Sequence, residues 1–181
     1  MSKEHPSSKG SEHRHARSKA PGVSHPVDLF GGTLLAGHRP GIKTLKALRR
    51  KGLTHLVTLL SEKEGAKSME KAAYEEKIRW LWFPLNTGNP PGKKRTAELR
   101  KLFLEMRDAL NSGGVVYVHC SAGIHRTGMI IYAFLRYNDI PKEKAREMLM
   151  SMRLITAACA GESRLEWGDT IGILLNSGDV A

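Results

Sequence analysis

Val115-Val116-Tyr117-Val118-His119-Cys120-Ser121-Ala122-Gly123-Ile124-His125-Arg126-Thr127-Gly128 is the stretch on which the fold turns. Val115 to Val118 are apolar and β-favouring, and read as a short buried strand. Thr127 to Tyr137 is almost wholly apolar, the composition of a helix buried in the middle of a domain. A loop is thus tied between a strand end and a helix N-terminus. Backbone N–H groups in such a loop can point at one anion, and the helix dipole adds positive potential. The same field favours the thiolate of Cys120, a nucleophile at neutral pH. Arg126 supplies a planar fork that matches two phosphate oxygens and can follow the group as it flattens in a transition state. Thr127 is placed to hydrogen-bond the sulfur and ease its departure from an intermediate. Gly123 and Gly128 allow a tight turn and close packing on a ligand. The candidate catalytic residues are therefore Cys120, Arg126, Thr127 and His125. The candidate phosphate ligands are Ser121, Ala122, Gly123, Ile124, His125 and Arg126. Cys followed six residues later by Arg is a weak signal, since a buried Cys is usually a small apolar residue. The whole pattern between a strand and a helix is a specific one.

Working outward, Thr96 to Ser112 is the clearest helix. Leu99, Leu102, Phe103, Met106 and Leu110 share one face, and Gly113-Gly114 ends it. Upstream, Ile78 to Phe83 reads as a buried strand closed by Pro84, and Lys67 to Lys77 as a helix. His55 to Leu60 is a short β-rich run, and Thr44 to Lys51 a helix closed by Gly52. Leu29 to Leu35 reads as a first strand or hairpin arm, bent at Gly31-Gly32. Downstream, Pro141 to Met152 is helical with Pro141 in its first turn, and Arg164 to Leu175 is the last helix. Strands alternating with helices imply an α/β fold, with a mainly parallel central sheet of about four to five strands flanked by helices on both faces. A ligand then belongs at the carboxyl ends of the strands.

Residues 1–26 are rich in Ser, His, Lys, Arg, Gly and Pro without apolar periodicity, and are expected to be a disordered basic tail. Its histidines, His5, His13, His15 and His25, are candidates for weak metal binding, but a solvated tail is the simpler reading. Residues 27–181 are one domain of ordinary size. Elsewhere no metal-ligand spacing occurs, so neither metal nor cofactor is expected. No apolar run is long enough for a transmembrane segment, and no secretory signal is visible. Two cysteines, Cys120 and Cys159, make no disulfide framework and suit a reducing, cytoplasmic setting. The net charge is +11. Most of that excess lies in the domain, which favours anionic partners: phosphorylated protein, inositol phosphate, RNA or an anionic membrane.

The stretch H-C-x-x-G-x-x-R-T-G resembles the phosphate loop of the protein tyrosine phosphatase superfamily. Leu34-Leu35-Ala36-Gly37 and Gly52-Leu53-Thr54-His55-Leu56-Val57 are similar to the opening strand and the following strand of its small dual-specificity members. The resemblance covers roughly residues 29 to 153. It implies a parallel-cored sheet between helices, metal-free hydrolysis of phosphate esters through a cysteinyl-phosphate intermediate, and an aspartate general acid upstream of the cysteine.

The last of these is missing. In Phe83-Pro84-Leu85-Asn86-Thr87-Gly88-Asn89-Pro90-Pro91, Thr87 stands where the family pattern has Asp, and no aspartate occurs between Asp28 and Asp108. Three replacements are open. His125 can donate a proton near neutral pH; its position resembles that of inositol-pyrophosphate phosphatases. Glu62 or Glu64, after the strand ending at Leu60, is a second candidate, with surface charge as the alternative. The third is that no acid is needed, because a phosphate leaving group is a weak base; capping-type RNA triphosphatases resemble this case. Lys93-Lys94-Arg95 is either an extra phosphate site or a solvated helix start. Arg164 is either a second phosphate ligand or a structural ion pair. Cys159 is a packed small residue or a disulfide partner for Cys120. Trp80, Trp82 and Trp167 are core or rim aromatics. The leading expectation is a tyrosine or dual-specificity protein phosphatase. Next comes an enzyme for phosphoanhydrides or inositol polyphosphates, including RNA 5′-triphosphates. Last is a phosphate-binding module without turnover.

Overall fold

The computed structural model describes residues 24–177. The expected tail lies outside the described residues as far as position 23, with His5, His13 and His15. Ser24 and His25 are tied to the domain. The Ser24 hydroxyl accepts the Ala36 N–H at 3.3 Å, and the His25 N–H donates to the Met152 carbonyl at 2.7 Å.

A β-hairpin opens the domain: β1 (Val27–Leu29) and β2 (Gly32–His38) are antiparallel, joined by Phe30-Gly31 at positive φ. The single arm expected over Leu29 to Leu35 is thus two strands. Then follow α1 (Ile42–Arg50), β3 (Leu53–Thr58), a 3-10 turn (Glu62–Glu64), α2 (Ala66–Glu75) and β4 (Arg79–Trp82). A second 3-10 turn (Lys93–Arg95) leads into α3 (Thr96–Asn111), β5 (Val115–Cys120) and α4 (His125–Tyr137). The described residues end with α5 (Lys142–Met152), α6 (Leu154–Cys159) and α7 (Glu162–Ser177). The sheet order is β1-β2-β5-β3-β4, and every pairing except β1–β2 is parallel. Among the described residues, five strands flanked by seven α-helices match the expected α/β fold.

Successive residues of a strand face opposite sides of a sheet, and both sides here are covered. Val116, Val118 and Cys120 of β5 join Leu34, Ala36, Val57 and Leu81 in one core with α3, α4, α5 and α7. Tyr117 turns the other way and joins Leu53, Leu56, Leu45 and Met69 beneath α1 and α2. Continuous apolar strands are the signature of such two-sided burial. In the first core the Phe103 ring lies 5.5 Å, centroid to centroid, from each of Phe134 and Tyr137. Truncating either phenylalanine to alanine would cost about 3–5 kcal/mol.

Registry fixes where the chemistry sits. His38 of β2 lies opposite Cys120, and Thr58 of β3 lies opposite His119. The carboxyl ends of the central strands therefore converge on one point, which the β5–α4 loop caps. Helix α6 had no counterpart in the sequence reading. Leu154-Ile155-Thr156-Ala157-Ala158-Cys159 is too short for a helical period, and nothing in it marks a start.

Candidate active site

β5 ends at Cys120 and α4 begins at His125, so Ser121 to Ile124 form the turn between them. Gly123 carries φ +70, and a Cβ there would fall on the Gly37 carbonyl. Only glycine fits, for conformation and for space. The carbonyls of Ser121, Ala122 and Gly123 are bound from outside the loop. Ser121 accepts the Arg39 N–H at 3.1 Å, Ala122 accepts Arg153 Nη1 at 3.1 Å, and Gly123 accepts Arg153 Nη1 at 2.7 Å and the Thr156 hydroxyl at 2.6 Å. Carbonyls turned outward leave the amides to face inward. The Gly123 N–H does so, donating to Cys120 Sγ at 3.2 Å. Arg153 is buried and braces the loop; this use of Arg153 was invisible in the sequence because the loop atoms it binds are backbone carbonyls.

His119 holds the cysteine's backbone. Trp80 Nε1 donates to Thr58 Oγ1 at 2.8 Å, which leaves the Thr58 hydroxyl to donate to His119 Nε2 at 2.9 Å. That fixes the tautomer: Nδ1 carries the proton and donates to the Cys120 carbonyl at 3.2 Å. Burial pushes the His119 pKa down to about 4, so the ring stays neutral.

Arg126 is held by Glu64. Nη1 donates to Oε2 at 2.7 Å and Nη2 to Oε1 at 2.8 Å, and Nη1 also donates to the Leu85 carbonyl at 2.8 Å. Arginine has five N–H donors. These bonds leave the adjacent pair on the Nε–Nη2 edge, a two-pronged face for an anion. Glu64 is itself fixed: its carboxylate accepts the Ser61 N–H and hydroxyl, each at 2.9 Å. The Arg126 hydrogen bond holds the Glu64 pKa down to about 2. Glu64 is thus ionised at neutral pH and paired with Arg126 rather than free at the surface. Glu62 is exposed and lies apart from the cavity.

A cavity of about 220 Å³ opens over the loop, lined by Asn86, Thr87, Gly88, Cys120, Ser121, Ala122, His125 and Arg126. His125 is exposed on its wall. Ile124 is half-buried and not among the residues that line the cavity. The Thr127 hydroxyl is buried without a hydrogen-bond partner among the described residues, so the expected bond to Sγ is not made. Thr87 faces the mouth, its hydroxyl accepting the Asn89 N–H at 3.2 Å. Among the described residues no carboxylic acid lines the cavity.

Other expectations change. Arg164 makes no ion pair among the described residues. Its Nε donates to the Gly88 carbonyl and its Nη1 to the Ala160 carbonyl at 3.0 Å. Arg95 is structural: its guanidinium lies 4.1 Å over Phe83, binds the Pro84 carbonyl and pairs with Glu98, while Lys93 and Lys94 are exposed. Cys159 is exposed rather than packed. Trp80 and Trp82 stack at 5.4 Å on β4, half-buried, and Trp167 packs partly buried against the core.

Residues 31–139 match the family described as a polymorphic toxin system DSP-PTPase phosphatase, Tc-R-P. No curated protein matches the sequence. Among solved structures, Tk-PTP in its active form is 20% identical, with TM-score 0.59 over 83% of this chain and 95% of that one. Kinase associated phosphatase (KAP) is 16% identical, with TM-score 0.66 over 84% of this chain and 96% of that one. P. aeruginosa TpbA in complex with pTyr is 15% identical, with TM-score 0.52 over 86% of this chain and 99% of that one. These likenesses show the fold.

Proposed function

The chain belongs to the DSP-PTPase phosphatases of polymorphic toxin systems, and from that membership we propose that it hydrolyses phosphate monoesters through a cysteinyl-phosphate formed on Cys120. One observation carries the reading. Cys120 Sγ lies within a loop whose Ser121, Ala122 and Gly123 carbonyls are bound outward, beside the free edge of an arginine already fixed by a carboxylate. Inward amides and the N-terminus of α4 favour the thiolate and a phosphoryl dianion together. Sulfur attacks phosphorus, the S–P bond forms as the P–O bond breaks, and the electron pair leaves on the ester oxygen. Arg126 and the amides from Ser121 to Arg126 hold the three equatorial oxygens, which carry the charge of the transition state. Water then attacks phosphorus, and the S–P pair returns to sulfur. The buried Thr127 hydroxyl, without another partner, is placed to serve as the sulfur regains its charge.

Phosphotyrosine on protein is the monoester that suits this pocket best. Phenolate is a far weaker base than a serine alkoxide, so it leaves with less help where no carboxylic acid is present. TpbA is described in complex with pTyr, which supports the same choice. His125, on the cavity wall, is the side chain placed to give the leaving oxygen a proton. A nucleophilic thiol so disposed works in a reducing, cytoplasmic compartment. The test is a pair of substitutions. Cys120→Ser should abolish turnover of a phosphotyrosine peptide while keeping the fold, since a serine hydroxyl is not ionised near neutral pH. Arg126→Lys should lose about a hundredfold or more in kcat/KM, since an ammonium cannot reproduce the two-pronged edge. Near-wild-type turnover by Cys120→Ser would defeat the proposal.

A further inference from the structure

The sheet has a free edge, and a groove runs along it. β4 is the last strand in the order, so among the described residues it pairs with β3 on one side only. The Phe83 N–H donates to the Thr58 carbonyl of β3 at 3.1 Å. Backbone groups along a strand point alternately to its two sides. The N–H and C=O of Leu81 therefore face β3 as well, and those of Trp80 and Trp82 face outward, where no strand follows. Proteins commonly block such an edge with a proline, a bulge or a projecting charge. β4 has none of these at Trp80 to Trp82. Its pairing with β3 is regular, and its one charged side chain, Arg79, is drawn onto Glu105 of α3 at 3.0 Å.

α3 forms the other wall. Glu98, Leu102, Glu105 and Ala109 recur at helical spacing and so share one face of it. That face and β4 bound two cavities of about 380 Å³ and about 320 Å³, and Glu105 lines both. The larger lies between Arg79 and Asp108; the smaller runs along Trp80, Leu81, Trp82 and Phe83. From Glu98 to Asp108 the helix rises about 15 Å, the length of about five residues of extended chain. Leu102 and Ala109 give the wall a buried apolar base. Above it stand three carboxylates, Glu98, Glu105 and Asp108, against Lys101 and Arg79. In a chain of net charge +11 this acidic excess is local.

We propose that the groove docks an extended segment of a partner protein. The segment pairs with β4 as an added strand and sets lysine or arginine side chains, at alternate positions, over the carboxylates of α3. Side chains at the intervening positions fall on the other face of the sheet, beside the stacked indoles of Trp80 and Trp82, where aliphatic ones suit. Main-chain bonds supply affinity in such pairing, and the alternation supplies selectivity. The site is separate from the chemistry at Cys120, since no residue of either cavity lines the one over the β5–α4 loop.

Amide hydrogen exchange on the full chain, followed by NMR, tests the pairing residue by residue. In the free protein the Trp80 and Trp82 amides should exchange at least about tenfold faster than those of Leu81 and Phe83. The probe is the peptide acetyl-Lys-Val-Lys-Val-Lys-Val-amide. At saturation it should slow exchange at Trp80 and Trp82 by about tenfold or more and leave Leu81 unchanged. A counterpart N-methylated at every amide, and one with glutamate in place of lysine, should do neither. Combining Glu98→Gln, Glu105→Gln and Asp108→Asn should weaken binding of the lysine peptide about tenfold, as expected for three exposed charge pairs, with turnover of p-nitrophenyl phosphate unchanged. A lysine peptide that leaves both amides unprotected, or an N-methylated one that binds as well, would overturn strand pairing. Equal binding of the glutamate peptide, or undiminished binding by the triple variant, would overturn the basic chemistry assigned to the partner. Protection already present in the free protein would also overturn the docking site: if it grows with protein concentration the occupant is a second copy of this chain, and if it does not the edge is closed.

Discussion

Glu64 is the residue that most changes the picture of how Arg126 works. An arginine expected to meet phosphate alone arrives with three of its donors already bound, two of them to one carboxylate. Preorganisation of that kind removes reorientation from the transition state. Glu64→Gln should therefore lower kcat/KM for an aryl phosphate by about tenfold, with binding of a neutral probe unaffected, and steady-state kinetics would show it. The pair also carries a pH signature. The Glu64 pKa falls from 4.5 to about 2 on folding. A depressed carboxylate contributes stability above its unfolded pKa, and that contribution is lost as pH falls through the folded value. Acid unfolding of wild type between pH 4.5 and about 2 should thus steepen relative to Glu64→Gln. Parallel acid limbs would mean that the ion pair adds nothing. The turn that carries Cys120 and Arg126 was legible as a loop because a buried strand and a buried helix bound it in the sequence. Glu64 was readable only as a charge after a strand, since its partner lies 62 positions away and nothing local links them.

At the scale of the element, the phosphate loop is held in shape by what surrounds it. β5 and α4 were clear in the sequence because a buried strand and a buried helix leave no polar alternation to misread. α6 was not, although Thr156 in it and Arg153 just before it bind the carbonyls of Gly123 and, for Arg153, Ala122. Its contribution is backbone recognition, which leaves no motif. Arg153→Met preserves much of the stem and removes the donors. It should reduce kcat by at least about tenfold, with Arg153→Lys recovering part of it. A substitution that disturbed only packing would show no such partial recovery. Gly123→Ala should be inactive although folded at β5 and α4, because its Cβ meets the Gly37 backbone. Retained activity there would mean that the loop can adopt another path. The 83–91 segment was legible as a loop, and Thr87 in it as a departure. The Thr87–Asn89 turn and the Gly88–Arg164 contact were not legible, since they join residues that only the sheet brings together.

For the whole molecule, the sheet gathers the ends of β2, β3 and β5 under one loop. The fold class followed from alternation of strands and helices, whereas the β1–β2 hairpin depended on one left-handed Phe30-Gly31 turn that composition could not place. Net charge of +11 should draw polyanionic substrates from a distance. Raising salt from about 0.01 M to 0.15 M shortens the Debye length from about 30 Å to about 8 Å. It should raise KM for a doubly phosphorylated peptide more than KM for p-nitrophenyl phosphate; equal shifts would show that only local contacts matter. No helix among the described residues is long and apolar enough to cross a membrane. The central claim is the phosphorylated cysteine, and mass spectrometry of protein quenched in acid during turnover of an aryl phosphate reads it directly. One phosphoryl group should appear on the peptide carrying Cys120 and disappear as substrate is exhausted; a phosphoryl group found on His125 instead, or on no residue while turnover continues, would contradict the mechanism.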